Sequence, residues 1–193
     1  MTRARLVALA LVATLFPTAT AQAEPAVGLL SGTNVLVGFD TSAPGTLLHV
    51  APISGLGAGE RVLAVDFRHH PFDPTVAPGL LGLSVARSGP DQDALRLYTI
   101  DPDTGAATVI GAAPVLLTTP IGAAYAIDIT PAVDRVRVVS SLGFNLRMNP
   151  FSGALSGMDP SITPPGSGVG GLAYDRVSLF SISINPYGLA HFA

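Results

Sequence analysis

The chain has 193 residues, of which 48% are hydrophobic and 12% charged, and it contains no cysteine. This balance is too apolar for a disordered chain, and without cysteine a disulfide-stapled fold is excluded. Ten arginines and no lysine are set against thirteen acidic residues, which gives a formal charge of −3, so we expect no nucleic acid partner.

The first 23 residues have the three parts of a secretory signal peptide. Arg3 and Arg5 supply positive charge, residues 6–16 form an apolar run, and Ala21-Gln22-Ala23 fits the cleavage site. An uncleaved anchor is the alternative, but the run is about half the length of a membrane-spanning helix, and no later segment is long and apolar enough to span. We therefore expect export to the periplasm or the extracellular space. The mature chain, residues 24–193, then has eight arginines against thirteen acidic residues, a formal charge of −5.

Short alternating or β-branched runs, separated by turn-forming residues, fill the mature chain and predict an all-β fold. No convincing amphipathic helix is present. The predicted strands are Val35–Asp40, Val62–Arg68, Leu80–Val85, Leu95–Asp101, Ala107–Gly111, Ala124–Ile129, Arg135–Ser140 and Phe144–Asn149. Proline and glycine turns such as Ala43-Pro44-Gly45 separate several of them, so antiparallel hairpins are the expected unit. One domain over residues 24–193 is expected, with the strand pattern weakening after about residue 155.

Two sequence elements recur and indicate a repeat fold. One is a strand that ends in an acid or amide before a turn, at Asp40, Asp101, Asn149 and Asn185. The other is an apolar run around an aspartate, at Asp66 and again 62 positions later at Asp128. Repeats of this size are typical of β-propeller blades. Since closed propellers have about four to eight blades, we also consider irregular blades, an open stack or sandwich, and a chain shorter than the whole fold.

An ordered set of segments resembles the bacterial exported proteins grouped as domain of unknown function 4394. The resemblance covers about residues 30 to 155 and is carried by segments 36–40, 55–60, 65–68, 97–108, 133–140 and 145–150. It implies a secreted, repeat-built β domain to which no activity is assigned. The family pattern continues beyond the point where this chain stops, so the resemblance also leaves an incomplete fold among the expectations.

The predicted hairpin at residues 135–149 carries the most informative polar residues. A three-residue loop ending in Gly143 pairs Arg137 with Arg147. This register places four apolar residues on one face. The other face carries the arginine pair with Arg135, Asn145 and Asn149, along with Val139. A two-residue loop would mix the two faces, so the residue pattern selects the first register.

Two arginines directly opposite each other repel, and the pair needs a compensating anion. Asp128 and Asp134 are the local candidates, with Asp66 and Arg68 as equivalent partners one repeat earlier. One interpretation is an internal ion-pair cluster in which aspartates hold the planar guanidinium groups. The other is a site for an external carboxylate, phosphate or sugar acid. The candidate binding residues on this second interpretation are Arg135, Arg137, Arg147 and Asp128.

Signatures of metal binding or catalysis are weak. Asp101 and Asp103 open a segment that resembles the start of a calcium loop, but the later acidic ligand is missing. His69-His70 are adjacent residues in a proline-flanked loop and are interpreted as solvated. The segment 82–86 lacks the final glycine of a nucleophile elbow and is interpreted as an ordinary strand. We therefore predict no metal, no other cofactor and no catalytic residue.

Three functions are compatible with these features. The first is a non-catalytic exported binding or scaffold module. The second is a propeller-type hydrolase or lactonase that acts on a small sugar acid or lactone, which would need several carboxylates or histidines at one cavity. The third is a truncated copy without activity. Exposed strand edges of an open repeat also predict self-association of the chain.

Overall fold

The computed structural model describes residues 24–68, 79–86, 94–116, 124–130, 133–162, 171–174, 182–184 and 189–192. These residues include fourteen strands: β1 (Pro25–Leu29), β2 (Val35–Asp40), β3 (Leu47–Pro52), β4 (Glu60–Arg68), β5 (Gly79–Ala86), β6 (Ala94–Ile100), β7 (Ala107–Leu116), β8 (Tyr125–Thr130), β9 (Arg135–Ser140), β10 (Asn145–Met148), β11 (Leu155–Met158), β12 (Gly171–Tyr174), β13 (Ile182–Ile184) and β14 (Leu189–Phe192). No helix that could cross a membrane is found in these ranges. The predicted signal peptide, the histidine pair and the turn at Asn185 lie outside the described residues.

The strands form four sheets that follow one another along the chain. Sheet I has the order β1-β2-β3, sheet II the order β4-β5-β6-β7 and sheet III the order β11-β10-β9-β8, and their neighbouring strands are antiparallel. Sheet IV has the order β12-β14-β13, in which β12 and β14 run parallel. The prediction of an all-β fold built from repeated antiparallel hairpins is confirmed.

All eight predicted strands are present in the structure. β2 and β9 have the predicted bounds, and the other six differ by one or two residues at an end, except that β7 continues to Leu116. β1, β3, β11, β12, β13 and β14 were not predicted. All of these except β14 are edge strands. β1 begins with Pro25, β3 ends with Pro52 and β11 contains Gly157, and these residues weaken the pattern by which a strand is recognised.

Apolar cores between successive sheets hold the fold together. Within β5, Leu80 packs into the core shared with sheet I, whereas Leu81 and Leu83 pack into the core shared with sheet III. Since successive strand residues point to opposite faces, sheet II is buried on both sides, which explains the nearly continuous apolar sequence of β5. A smaller core, which includes Val139 and Leu172, joins sheets III and IV.

Turns of one sheet dock on the outer region of the sheet before it. Ser54, which follows β3, receives a hydrogen bond from Ala107 N at 2.9 Å and donates one to Gly105 O at 3.0 Å. One sheet later, a Cβ on Gly111 would lie only 1.9 Å from the carbonyl oxygen of Ser152. Glycine is therefore required where β7 meets the turn between β10 and β11.

The first strand of each sheet lies innermost. β4 packs against β1 and β8, and β8 packs against β12. Sheets arranged in this way around a common centre are characteristic of propeller blades, and the fold is propeller-like. Among the described strands, no sheet closes on itself into a barrel.

Sheet I ends in an apolar edge strand. Leu47, Leu48 and Val50 of β3 are each more than half exposed. The self-association predicted from exposed strand edges would use this strand, and it stays a prediction.

Candidate functional site

The β9–β10 hairpin has the register predicted from its sequence. Arg137 lies opposite Arg147, and the apolar residues that flank each arginine face the core between sheets II and III. Gly143 ends the loop with a φ of 84°, in the left-handed region that glycine adopts without strain. The two arginines are therefore side by side on the opposite face.

A single carboxylate, that of Asp159, bridges the two arginines. Arg137 Nη1 lies 2.7 Å from Asp159 Oδ2, and Arg147 Nη2 lies 2.8 Å from Asp159 Oδ1. The backbone N–H of Asp159 donates to Asn145 O at 3.0 Å, which places the residue beside the hairpin immediately after β11. Each carboxylate oxygen thus accepts from one guanidinium, and the repulsion across the strand pair is compensated.

Neighbouring polar groups complete this cluster. Arg137 also donates to Asn145 Oδ1 at 2.7 Å and to the hydroxyl of Tyr174 in β12. The side chains of Arg137 and Asp159 are 16% and 18% exposed, and that of Arg147 is 37% exposed. This geometry is that of an internal ion-pair cluster joining sheets III and IV.

Asp128 and Asp134, the two aspartates expected to compensate the arginine pair, are held by other groups. Asp128 lies opposite Arg137 in the β8–β9 pairing, and its carboxylate accepts backbone N–H groups from Ile129, at 2.6 Å, and Tyr174. Asp134 pairs with Arg68 of sheet II, at 2.5 Å between Oδ2 and Nη2. Arg68 thus pairs with an aspartate of sheet III, whereas the repeat had suggested Asp66 of its own strand.

Arg68 and Arg135 both act at the turn between β8 and β9. Arg68 lies with its guanidinium carbon 4.3 Å from the ring centre of Phe151, in addition to its pairing with Asp134. Arg135 donates to two backbone carbonyls, Val133 O at 3.1 Å and Asp134 O at 2.9 Å. Both arginines hold the turn in place through these contacts.

A second ion-pair cluster, which sequence reasoning missed, lies between sheets I and II. Glu60 Oε1 lies 2.9 Å from Arg96 Nε, and Oε2 accepts hydrogen bonds from Tyr98 Oη at 2.6 Å and Ser84 Oγ at 2.9 Å. The Glu60 side chain is only 4% exposed. Tyr98 Oη in turn accepts the backbone N–H of Gly57 at 3.2 Å. The cluster ties the 55–60 loop to β5 and β6.

Burial raises the pKa of Tyr98 to about 12, with the hydrogen bond to Glu60 as the second cause. A phenol that donates to a carboxylate in a buried site resists ionisation, because the phenolate would face another negative charge. Ser84 is fully buried on the same carboxylate. The segment 82–86 is a strand, as predicted, and its serine is a structural donor.

The calcium-like segment forms a structural turn. Asp101 Oδ1 accepts the backbone N–H groups of Asp103 and Thr104, both at 2.9 Å, and these bonds lower the pKa of Asp101. Asn149 Oδ1 accepts two N–H groups in the equivalent turn of sheet III, at 2.8 and 3.1 Å. Since a neutral amide makes the same turn, the negative charge of Asp101 is not needed for it. Within the described ranges, no three acidic or histidine side chains gather as a metal-binding group.

A cavity of about 490 Å³ lies between the inner strands of the four sheets. Most of its lining residues have apolar side chains, among them Leu63 of β4, Ala124 before β8 and Leu172 of β12, while polar atoms make up slightly more than half of its surface. The turn between β1 and β2 adds the hydroxyl side chain of Ser31. Small-molecule sites typically have volumes of about 300 to 1,000 Å³, and this cavity falls within that range.

Arg61 is the one charged residue among the described residues that line the cavity. It is exposed, and no carboxylate in the described part of the chain lies within ion-pair distance of it. The strand that carries it has a bulge between Val62 and Ala64, which inserts Leu63 at the cavity. Bulges redirect side chains and are common next to binding sites.

The site residues that the sequence analysis did not identify differ in how clearly the sequence marks them. Glu60 ends a glycine-rich segment beside Arg61, just before the predicted strand Val62–Arg68, and this position gives only a weak sign of its burial. Asp159 follows the region in which the strand pattern weakens, and Arg61 stands beside Glu60 like any surface charge. Only the spatial arrangement of the sheets distinguishes Arg61 from the paired arginines.

A comparison with family models finds one that matches residues 35–175, well over half of the chain, and its description is domain of unknown function (DUF4394). The match spans all six segments on which the resemblance was based. No curated protein and no solved structure matches the chain.

Proposed function

Because the chain belongs to the DUF4394 family, whose description assigns no activity, we propose a function from the site itself. The protein is a non-catalytic exported binding module that holds a small ligand in the cavity between its inner strands. The observation that carries this proposal is the cavity of about 490 Å³, to which all four sheets contribute. Small-molecule sites are commonly clefts built where several structural elements converge.

The lining supports binding through ordinary contacts. Leu63 and Leu172 supply apolar surface, Ser31 supplies a hydroxyl and Arg61 supplies a guanidinium. Apolar side chains combined with a few polar groups that set orientation are the usual elements of a small-molecule site. The arginines of the β9–β10 hairpin support the site indirectly, since their cluster attaches β12, one wall of the cavity, to sheet III.

Export supports the same role. The amino-terminal charge, apolar run and cleavage site favour a mature domain outside the cytoplasm. A folded domain there needs no disulfide if its cores are large enough, and the cores between sheets I, II and III are made mainly of buried aliphatic side chains.

The test is a thermal melt of residues 24–193 with and without a panel of small sugars, sugar acids and lactones. A bound ligand at a hundred times its dissociation constant stabilises the folded state by about 2.7 kcal/mol, which raises the melting temperature. Ala124→Leu places a larger side chain on an exposed part of the cavity wall and should abolish the shift in melting temperature. Ala43→Leu, at an exposed turn residue of sheet I, is the matched control and should retain it.

Two results would overturn the proposal. A shift that survives Ala124→Leu would place the ligand elsewhere. Release of the acid from a lactone in the same samples, measured as proton release, would replace the binding module with the hydrolase alternative.

A further inference from the structure

We infer that the cavity binds a small organic carboxylate, with Arg61 as the residue that recognises the negative charge. This inference rests on the proposed ligand-binding role of the cavity and deepens it. The ligand class follows from the charge of the lining, from the state of the other arginines and from the size of the cavity.

The charge of the lining comes from Arg61 alone among the described residues. A neutral ligand would leave the guanidinium without a counter-charge when it displaces water from the cavity. A cationic ligand would be repelled. An anion restores the balance and gains charge-assisted hydrogen bonds, which are about twice as strong as neutral ones.

The other described arginines have structural roles, and each has a fixed partner for its guanidinium group. Arg68, Arg96, Arg137 and Arg147 each have a carboxylate partner, at 2.5 to 2.9 Å. Arg135 is held by two backbone carbonyl groups instead. Arg61 has neither kind of contact in the described chain, although it borders the cavity to which all four sheets contribute. Its donors are therefore available to a ligand.

The number and shape of the donors favour a carboxylate over a phosphate. One guanidinium presents a planar fork that matches both oxygens of a single carboxylate. A phosphate dianion carries more charge than one arginine can balance, and the lining adds only hydroxyl and apolar groups. Ser31 can donate to, or accept from, a hydroxyl of the ligand body, while Leu63 and Leu172 contact its carbon skeleton.

The volume limits the ligand to a small molecule. A cavity of about 490 Å³ accommodates a single sugar ring or a short acyl chain rather than an oligomer. Hexuronates and short hydroxy acids fit these requirements, since they carry one carboxylate, at least one hydroxyl group and a compact skeleton.

The test measures the affinity of matched acid and neutral pairs by titration calorimetry. A hexuronate is compared with the corresponding hexose, and a short hydroxy acid with its amide, on the wild-type protein and on Arg61→Gln and Arg61→Lys. We expect the acids to bind the wild-type protein roughly tenfold or more tightly than their neutral partners. Arg61→Gln should remove that preference and Arg61→Lys should restore part of it.

Inorganic phosphate is included as a competitor and should displace the acid only weakly. Displacement by phosphate at the same concentration as the acid would overturn the assignment to carboxylates. Equal binding of acids and neutral partners, with Arg61→Gln unchanged but Ala124→Leu inactive, would overturn the role of Arg61 and leave the cavity as a neutral-ligand site. Absence of binding by both classes would overturn the proposed function itself.

Discussion

Arg61 and Arg137 are both strand arginines of this molecule, but they have opposite surroundings. Arg137 is 16% exposed and donates to a carboxylate, an amide oxygen and a phenol. Arg61 is exposed at the edge of the central cavity and has no carboxylate partner among the described residues. The difference shows that the partner, rather than the arginine, decides whether such a residue supports the fold or is available to a ligand.

The same comparison extends to the clusters around Glu60 and Asp159. Each carboxylate pairs with arginine near a junction between sheets. Glu60 pairs with Arg96 on the face of sheet II that packs against sheet I, and Asp159 pairs with Arg137 and Arg147 between sheets III and IV. Removing a partner from a buried ion pair leaves an uncompensated charge, which costs more than the pair itself contributes. The two clusters should therefore be sensitive to mutation in proportion to their burial, and Arg61 should be insensitive.

The largest loss of stability is expected for Glu60→Ala. The substitution leaves Arg96, Tyr98 and Ser84 without their common acceptor in a buried site, and we expect a loss of about 3 kcal/mol in the free energy of unfolding. Urea denaturation followed by circular dichroism measures it.

Asp103→Asn is the matched control for Glu60→Ala, since it removes an acidic charge from an exposed turn. Glu60→Gln should lie between the two, because the amide oxygen can still accept from Tyr98 or Ser84. A loss for Glu60→Ala no larger than for the control would show that the cluster is not a stabilising element.

Asp159→Ala should cause the second largest loss, about 2 kcal/mol. The expected effect is smaller because Arg147 is 37% exposed and water screens part of its charge. Adding Arg147→Leu to this variant removes the repulsion with Arg137 and should recover part of the stability. The measurement is a double-mutant cycle by urea denaturation, and strictly additive losses would contradict the bridging role of Asp159.

The central strands could be predicted from the sequence because their residues alternate or run continuously apolar between clear turns. β5 and β9 show this pattern, whereas β3 ends in a proline, β11 has only four residues, and both expose apolar residues at a sheet edge. An edge strand pairs with only one neighbouring strand, so its sequence carries a weaker signal. The order of the four sheets around a cavity depends on long-range packing, which no local pattern records.

The sites could be predicted only where a local pairing rule applies. The opposition of Arg137 and Arg147 follows from the loop length and from the alternation of the hairpin. The bridging Asp159 is 12 and 22 residues away from them and reaches the hairpin through an unpredicted strand. Arg61 has no local feature that sets it apart, because an unpartnered charge is recognised only after every neighbouring sheet has been placed.

Tyr98 gives a smaller effect that depends on pH. Tyr98→Phe should cost about 1 kcal/mol at neutral pH, since Glu60 keeps Ser84 and Arg96 as donors. The pKa of Tyr98 is raised from 10.0 to about 12, so its protonated form is favoured by folding. The resulting stabilisation is complete below pH 10 and is lost as the pH rises through about 12. Urea denaturation across this window should show a steeper decline for the wild-type protein than for Tyr98→Phe, and parallel curves would contradict the assignment.

The smallest effect on stability is expected for Arg61→Gln, within about 0.5 kcal/mol of the wild-type protein in urea denaturation without ligand. Arg61 has no carboxylate partner in the described structure whose charge would be left unbalanced, and its exposed side chain leaves no void. The same variant is expected to lose the preference for carboxylates. Substitution of Arg61 should therefore change binding but not stability, whereas substitution of Glu60 should change stability. A loss of stability comparable to that of Asp159→Ala would mean that Arg61 has an internal partner, and its assignment to a ligand would then fail together with the contrast to Arg137.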